Sequence, residues 1–230
     1  MNSVVENNIR VFTEEAEKYK RDYFRGDEKY IVRRYFKGKK ILVLGCGAGR
    51  TLVPLYERGF EVTGVDITPR MVEEAEKKIQ EKERAVGGKL SIKVLHMDAC
   101  DLKFEDNTFD NVFFPFHGID YIYPDIYKAV KEAKRVIKPE GVFIFSSHNR
   151  FNIKVLHHFF DGNYANYHGL VTYRTTPLDW WRLHRYFRKV KMIQRATIMV
   201  SWTRANWKDI LYKLFPFFNT STYFVCQNKK

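Results

Sequence analysis

With 230 residues, 45% of them apolar and 29% charged, the chain is long enough for one domain with a full hydrophobic core, and its composition excludes collagenous, low-complexity and disordered classes. The net charge of +13 is concentrated at the back: residues 150–230 hold 14 basic against three acidic side chains, and residues 1–149 hold 26 against 24. Such a field attracts an anionic substrate, nucleic acid or a membrane surface, and leaves the front of the chain close to neutral.

The first ten residues are polar and lack the apolar stretch of a secretory leader. From there to about Phe36 the sequence predicts helices lying over the carboxyl edge of a sheet. Ile41–Leu44 is a short apolar run ending in glycine, as a strand buried on both faces would be. A helix-length segment after Gly49 leads to a second strand over Glu61–Val65. From Pro69 to about Arg84 the pattern is helical, with Thr68 at the N-cap and Pro69 at the first helical position. Ser91–Leu95 and Phe109–Phe114 predict the third and fourth strands. Between Pro124 and Ile137, apolar Ile126, Val130, Ala133 and Ile137 recur at helical spacing. Pro139-Glu140-Gly141 stops that helix, and Val142–Ser146 begins a fifth strand. Residues 148–175 read as a long loop or partly helical insertion. Pro177–Phe187 predicts a helix, with Lys191–Val200 and Thr222–Gln227 as two last strands. No apolar run approaches the roughly 18 residues that cross a bilayer. Strand alternating with helix predicts a doubly wound α/β domain with a parallel sheet.

Gly45-Cys46-Gly47-Ala48-Gly49 follows the first strand directly. Glycines let the backbone turn sharply and approach a ligand with no side chain between. A helix beginning near Arg50 would offer free N–H groups to a polar or anionic ligand. The plain alternative is a tight strand-to-helix turn. A dinucleotide site is the sharper rival, but its pattern is Gly-x-Gly-x-x-Gly and the sixth position here is Arg50. Asp66 ends the second strand, 21 positions after Gly45, where a carboxylate can accept both hydroxyls of an adenosine ribose. Dinucleotide enzymes use the same device, so Asp66 does not separate the two cofactor classes; capping the next helix is its other use. Asp98-Ala99 ends the third strand, where a carboxylate accepts from an exocyclic amine and alanine leaves room for a ring, or where Asp merely forms a turn. Cys46, Cys100 and Cys226 are far apart and odd in number. They make no disulfide framework or metal knuckle and suit a reducing compartment, the cytoplasm.

Together these segments resemble the class I S-adenosylmethionine-dependent methyltransferase family, whose fold is Rossmann-like. ILVLGCGAGR is similar to its first motif, VTGVDIT to its second and HMDACDLKF to its third. FDNVFFPFHGIDYI and IKPEGVFIF resemble its fourth- and fifth-strand segments, and TYFVCQNKK its closing antiparallel strand. The resemblance covers roughly residues 30–147. It implies a doubly wound, mostly parallel seven-stranded sheet with helices on both faces and an antiparallel last strand. It divides the chain into an N-terminal helical cap (1–36), a cofactor-binding core (37–147), a lid or insertion (148–176) and a C-terminal part (177–230) completing the same sheet. It also implies that S-adenosyl-L-methionine is the cofactor. Gly45, Gly47 and Gly49 would back its methionine part, Asp66 would hold the ribose, Asp98 and Ala99 would flank the adenine, and Cys46 and Ile67 would also lie at the cofactor. Phe114 and Pro115 would floor the pocket near the reactive methyl, and Tyr19 would lie over the cofactor. One residue departs from the pattern: relatives carry an acidic side chain two positions before the first glycine, where this chain has Val43. Loss of that acidic group would mean weaker cofactor binding, a replacement from Asp22 or Glu28, or a non-catalytic relative.

Methyl transfer is an in-line displacement at an activated sulfonium, so an enzyme gains most by holding the nucleophile about 3 Å from the methyl and excluding water. Aromatic faces at Phe113, Phe114 and Phe116 suit a sulfonium, and equally suit core packing. A general base assists a hydroxyl acceptor; His117 and His148 are the candidates, with Asp120 beside them. His157-His158 lacks the partners of a metal site, and none is expected. No Asn-Pro-Pro-aromatic run follows the fourth strand, which in the family accompanies base or amide nitrogen acceptors. The favoured reading is O- or N-methylation of a small or anionic molecule, with Arg150, Arg174 and Tyr167 of the lid facing it. The alternatives are an RNA methyltransferase whose phosphate track is Arg182, Arg185, Arg188, Lys189 and Lys191, and a non-catalytic binding protein with a basic docking face.

Overall fold

The computed structural model of the chain describes residues 3–19, 23–149, 164–167, 169–194 and 221–228. Arg150, His157, His158, Trp202, Trp207 and the end of the expected 191–200 strand lie outside them, as do the side chains of Tyr167 and Trp180.

Helix α1 (Ser3–Glu14) and a 3-10 turn (Ala16–Tyr19) precede α2 (Gly26–Tyr35) and β1 (Lys40–Leu44). Then come α3 (Leu52–Tyr56), β2 (Glu61–Asp66), α4 (Pro69–Val86), β3 (Ile92–His96), β4 (Phe109–Phe114), α5 (Ile126–Val136) and β5 (Ile137–His148). The hairpin β6 (Tyr164–Tyr167) and β7 (Leu170–Tyr173), helix α6 (Pro177–Leu183), β8 (Lys189–Gln194) and β9 (Ser221–Gln227) complete the described elements.

The main sheet has seven strands in the order β3-β2-β1-β4-β5-β9-β8. The pairs from β3 to β5 are all parallel, and β9 runs antiparallel to both β5 and β8. Side chains of β1 alternate between two cores. Leu42 and Leu44 face α5 with Val112, Phe143 and Phe224. Ile41 and Val43 face Ile31 and Val32 of α2 and Ala75 and Ile79 of α4. Helices thus cover both faces, and α2 packs on a face rather than over the edge. The edge is covered by α1: buried Asn8 donates to the carbonyls of Tyr121 and Val171 (2.9 Å each) and accepts from Val171 N–H (2.9 Å).

Several elements depart from the expected bounds: the expected insertion holds the β6–β7 hairpin, α6 ends at Leu183 rather than Phe187, and β8 starts at Lys189 rather than Lys191. Residues 48–51 form turns, so the helix after the glycine loop starts at Leu52 and is five residues long. Its start at Arg50 is corrected, and no long helix aims its N-terminus at the loop. Strand β5 leaves α5 directly at Ile137 and then shifts register between Ile137 and Val142. The Pro139-Glu140-Gly141 stop is a bulge within it: Glu140 takes a positive φ of 65°, and a Cβ on Gly141 would lie 2.8 Å from the Asp110 carbonyl oxygen.

Candidate active site

Strand order reverses between β1 and β4, and an α/β sheet opens a crevice at the carboxyl ends of its strands at such a point. A cavity of about 1130 Å³ lies there. Its floor is Gly45, Cys46 and Gly47 with Phe114 and Pro115, one wall is Asp66–Thr68 with Asp98 and Ala99, and its roof is α1 and the following turn.

The glycine loop takes its shape from backbone conformations that side chains resist: Gly45, Gly47 and Gly49 have φ of 57°, 54° and 81°. A Cβ on Gly45 would lie 2.7 Å from the Phe114 ring, whereas one on Gly47 would meet nothing within 4 Å. Gly45 therefore lets the ring of Phe114 pass beneath the loop, and Gly47 leaves backbone open to the cavity. Gly49 does not line the cavity. A Cβ there would lie 3.2 Å from that of Ala75, so its glycine serves close packing of the loop on α4.

The other ten residues expected around a cofactor line this one cavity: Tyr19, Gly45, Cys46, Gly47, Asp66, Ile67, Asp98, Ala99, Phe114 and Pro115. Asp66 is buried. Its Oδ2 accepts the Gly47 N–H (2.8 Å) and its Oδ1 the Thr68 N–H (2.9 Å). Burial pushes its carboxyl up from the ordinary aspartate value, against the pull of those hydrogen bonds. Burial and the charge of Asp66 push the Cys46 thiol well up, leaving it a neutral wall group. Asp98 Oδ1 accepts the Cys100 N–H at 2.8 Å, a local turn that fixes its direction.

Residues that sequence reasoning missed complete the cavity. The side chains of Val5, Ile9, Phe12, Tyr121 and Ile122 give the roof an apolar lining. Arg50 lies against the loop with its guanidinium 4.8 Å from the Tyr23 ring centroid and 5.0 Å from that of Phe116. It donates twice to the fully buried Glu28 carboxylate, at 2.6 and 2.8 Å. Val43 points into the apolar core beneath. A carboxylate near the loop thus comes from α2 and acts through Arg50, while Asp22 lies outside the described residues. Beside Arg50, the buried Thr51 Oγ1 lines the cavity and has no hydrogen-bond partner among the described residues.

His117 and His148 meet each other but do not line the cavity. Their rings stack at 4.0 Å between centroids. Phe116 and His117 hold left-handed φ values of 53° and 62°, a conformation costing about 1–2 kcal/mol per residue without glycine. That turn sends Phe116 toward Arg50 and His117 over His148. Asp120, fully buried, accepts from His148 Nδ1 (2.8 Å), His148 N–H (2.8 Å) and Ser147 Oγ (2.5 Å). Burial raises its carboxyl above the ordinary value, opposed chiefly by His148. His117 Nε2 lies 2.8 Å from Ser221 Oγ on β9. Arg174 is buried and does not line the cavity, so its expected place facing a substrate is corrected. Among the described residues no cluster of metal ligands occurs.

A reversed strand between β5 and β8 separates this sheet from the all-parallel dinucleotide-binding arrangement. Residues 42–145 match the family model described as a methyltransferase domain. Over those residues the core is similar to methyltransferase domains of the class I, S-adenosylmethionine-dependent fold. Similar curated proteins include the putative methyltransferase YqeM of Bacillus subtilis, 32% identical over 127 residues, covering 54% of this chain and 49% of that protein. Sterol 4-C-methyltransferase strm-1 of Caenorhabditis elegans is 33% identical over 126 residues, 51% of this chain and 36% of its own. The chain thus spans about half or less of the length of these relatives. The fold is shared with an S-adenosylmethionine-dependent methyltransferase from Methanosarcina mazei, with a TM-score of 0.65 and 18% identity over 91% of this chain and 99% of the other. Methyltransferase domains of this class use S-adenosylmethionine as methyl donor. The residues here fit it: an open glycine backbone, an orphaned hydroxyl at Thr51 and two carboxylates, Asp66 and Asp98, lie along one cavity.

Proposed function

We propose that the chain transfers a methyl group from S-adenosylmethionine to a small or anionic acceptor bound under α1. The observation that carries this reading is the gathering of ten sequence-expected residues around one cavity at the switch point. Gly45, Cys46 and Gly47 would hold the methionine part, Asp66 and Ile67 the ribose, and Asp98 and Ala99 the adenine. The bound group supplies a methyl on a sulfonium, activated for displacement.

The chain's own contribution is positioning, dryness and proton removal. Residues Val5, Ile9 and Phe12 exclude water from the roof, and Phe12 packs edge-on to Tyr19 and Tyr121 at 5.7 and 5.2 Å. Lys18 and Arg50 also stand on the wall, as ion pairs with Glu15 and Glu28. His148, behind the cavity wall, is the proposed base, reached from the acceptor through one bridging water. With its Nδ1 proton directed to Asp120, Nε2 is left as the basic atom. His117 stacks on it and orients it. Asp120 is a positioning residue, since the described partners of its carboxylate are Ser147 and His148.

Calorimetric titration with S-adenosylmethionine, S-adenosylhomocysteine and NAD tests the cofactor; binding of NAD alone would overturn the reading. Labelled-methyl transfer to a panel of phosphorylated bases, quinols and sterols then identifies the acceptor. With that acceptor, His148→Asn should lower kcat about 10²-fold while S-adenosylhomocysteine binding is unchanged. An unaltered kcat would remove His148 from the reaction.

A further inference from the structure

Among the described residues, the basic, aromatic back of the chain does not line the cavity, yet α6 presents a face that the core does not explain. The helix is firmly held. Thr176 N–H and Oγ1 donate to Asp179 Oδ2 (2.8 and 3.0 Å), and Tyr127 donates to Asp179 Oδ1 at 2.7 Å. Leu183 and Phe187 enter the core. On the outer side Leu178 and Trp181, three positions apart and so on one helical face, are 65% and 58% exposed. An amphipathic turn this short has no structural need for two large apolar side chains in water.

Cations surround the pair. The Arg185 guanidinium lies 5.1 Å from the Trp181 ring centroid, and Arg182, Arg185, Arg188 and Lys189 are all exposed. Asp179, the acid of this helix, is buried and occupied by its tyrosine and threonine donors, with Arg182 3.6 Å away. The face therefore combines apolar tips with nearly unopposed positive charge.

We propose that this face docks on an anionic lipid bilayer, with Leu178 and Trp181 entering the interface and the four cations lying against lipid headgroups. Reversible attachment needs two signals, apolar insertion and charge, and both are here within one helical turn and the strand that follows. Tryptophan favours the headgroup level of a membrane, where its ring is apolar and its N–H wet. A single-stranded nucleic acid would use the cations and a stacked ring, but it gains nothing from an exposed leucine, which has no π-face. Leu178 decides between them. The docking face is also joined to the cavity wall: Tyr173, hydrogen-bonded to Asp179, stacks at 5.4 Å on Tyr123, which follows cavity-lining Tyr121 and Ile122. Attachment would bring that wall toward the membrane. The proposal does not depend on the nature of the methyl acceptor.

Co-sedimentation of the full chain with phosphatidylcholine vesicles, with and without about one third phosphatidylglycerol, tests it. The expected result is at least tenfold tighter binding to the anionic vesicles, weakening as salt shortens the screening length. Leu178→Ser/Trp181→Ser should lose about tenfold in vesicle affinity, with thermal unfolding and S-adenosylhomocysteine binding kept. Arg185→Gln/Lys189→Gln should weaken anionic binding and leave the residual binding to neutral vesicles unchanged. Failure to bind vesicles, or equal binding by the Leu178/Trp181 variant, would overturn the proposal. So would tighter capture of a single-stranded RNA oligonucleotide that ignores the Leu178/Trp181 substitutions.

Discussion

Asp66 accepts hydrogen bonds from two backbone amides, one in the glycine loop and one at the start of α4. The carboxylate therefore shapes the loop as well as presenting its remaining lone pairs to the cavity. Removing it takes away the loop's anchor and a ligand acceptor together. Asp66→Ala should lower S-adenosylhomocysteine affinity more than tenfold, about 1.4 kcal/mol or beyond, by calorimetry. Unchanged affinity would take Asp66 out of the ligand site. At this scale the legible residues were those whose role is local: glycines in a strand-to-helix turn, carboxylates at strand ends. The Glu28–Arg50 pair was not readable, because its members lie 22 positions apart and no periodicity links a helix carboxylate to a loop cation. The close packing of Gly49 on α4 was hidden for a related reason. A glycine that admits a ligand and one that admits a neighbouring helix leave the same mark in a sequence.

The roof over the cavity is α1 with the turn that follows it, and neighbouring asparagines fasten the helix: Asn7 donates to the Gly169 carbonyl at 2.8 Å, and Asn8 does more. Asn8 sits mid-helix, 3% exposed, and satisfies two carbonyls and one N–H on two other elements. Asn8→Leu keeps the volume but leaves those three groups without their partner, at a cost of about 1–3 kcal/mol. Chemical denaturation should show that loss; an unchanged midpoint would mean that water replaces the amide. A second clip lies at the other end of the sheet. Glu132 on α5 accepts from the Leu102 N–H (2.9 Å) and from Arg135, which in turn donates to the carbonyls of Leu102 and Phe104. The Arg135 hydrogen bond holds the Glu132 carboxyl below the ordinary glutamate value, with the Leu102 N–H helping. A group whose folded-state pKa is lowered contributes stability above its unfolded value and loses it as pH falls. The wild type should therefore lose stability between pH 7 and acid pH below the ordinary glutamate value of 4.5, and Glu132→Gln should lose less over that interval. Parallel pH dependences in the two proteins would show that the clip carries no linked proton. Both clips join residues distant in sequence, so the helices were legible from their apolar spacing and their fastenings were not.

At the scale of the molecule, strand alternation and five motif segments in register were enough to give the order of elements, because a right-handed parallel sheet leaves few topologies open. They did not show that His117 and His148, 31 positions apart in the chain, would stack behind the cavity rather than face into it. That placement depends on a left-handed turn at two residues that are not glycine. The cavity itself joins parts that sequence treats as separate: the roof from residues 5–19, Tyr23 and 121–122, the floor from 45–51 and 114–118, and the walls from 66–71 and 97–99. A ligand filling it would therefore tie the N-terminal cap to the core, and Arg70 already bridges the two, reaching Glu17 at 3.5 Å and Glu74 at 2.8 Å. Any ligand that binds the folded but not the unfolded chain stabilises it by about 2.7 kcal/mol at a hundredfold excess over Kd. For a chain of this size that is a rise in Tm of roughly 5–11 °C. S-adenosylhomocysteine should produce that rise, and should also slow proteolysis within residues 1–36, because cap and core then open together. A thermal shift without such protection would mean that the ligand touches only the core and that α1 roofs the acceptor compartment alone.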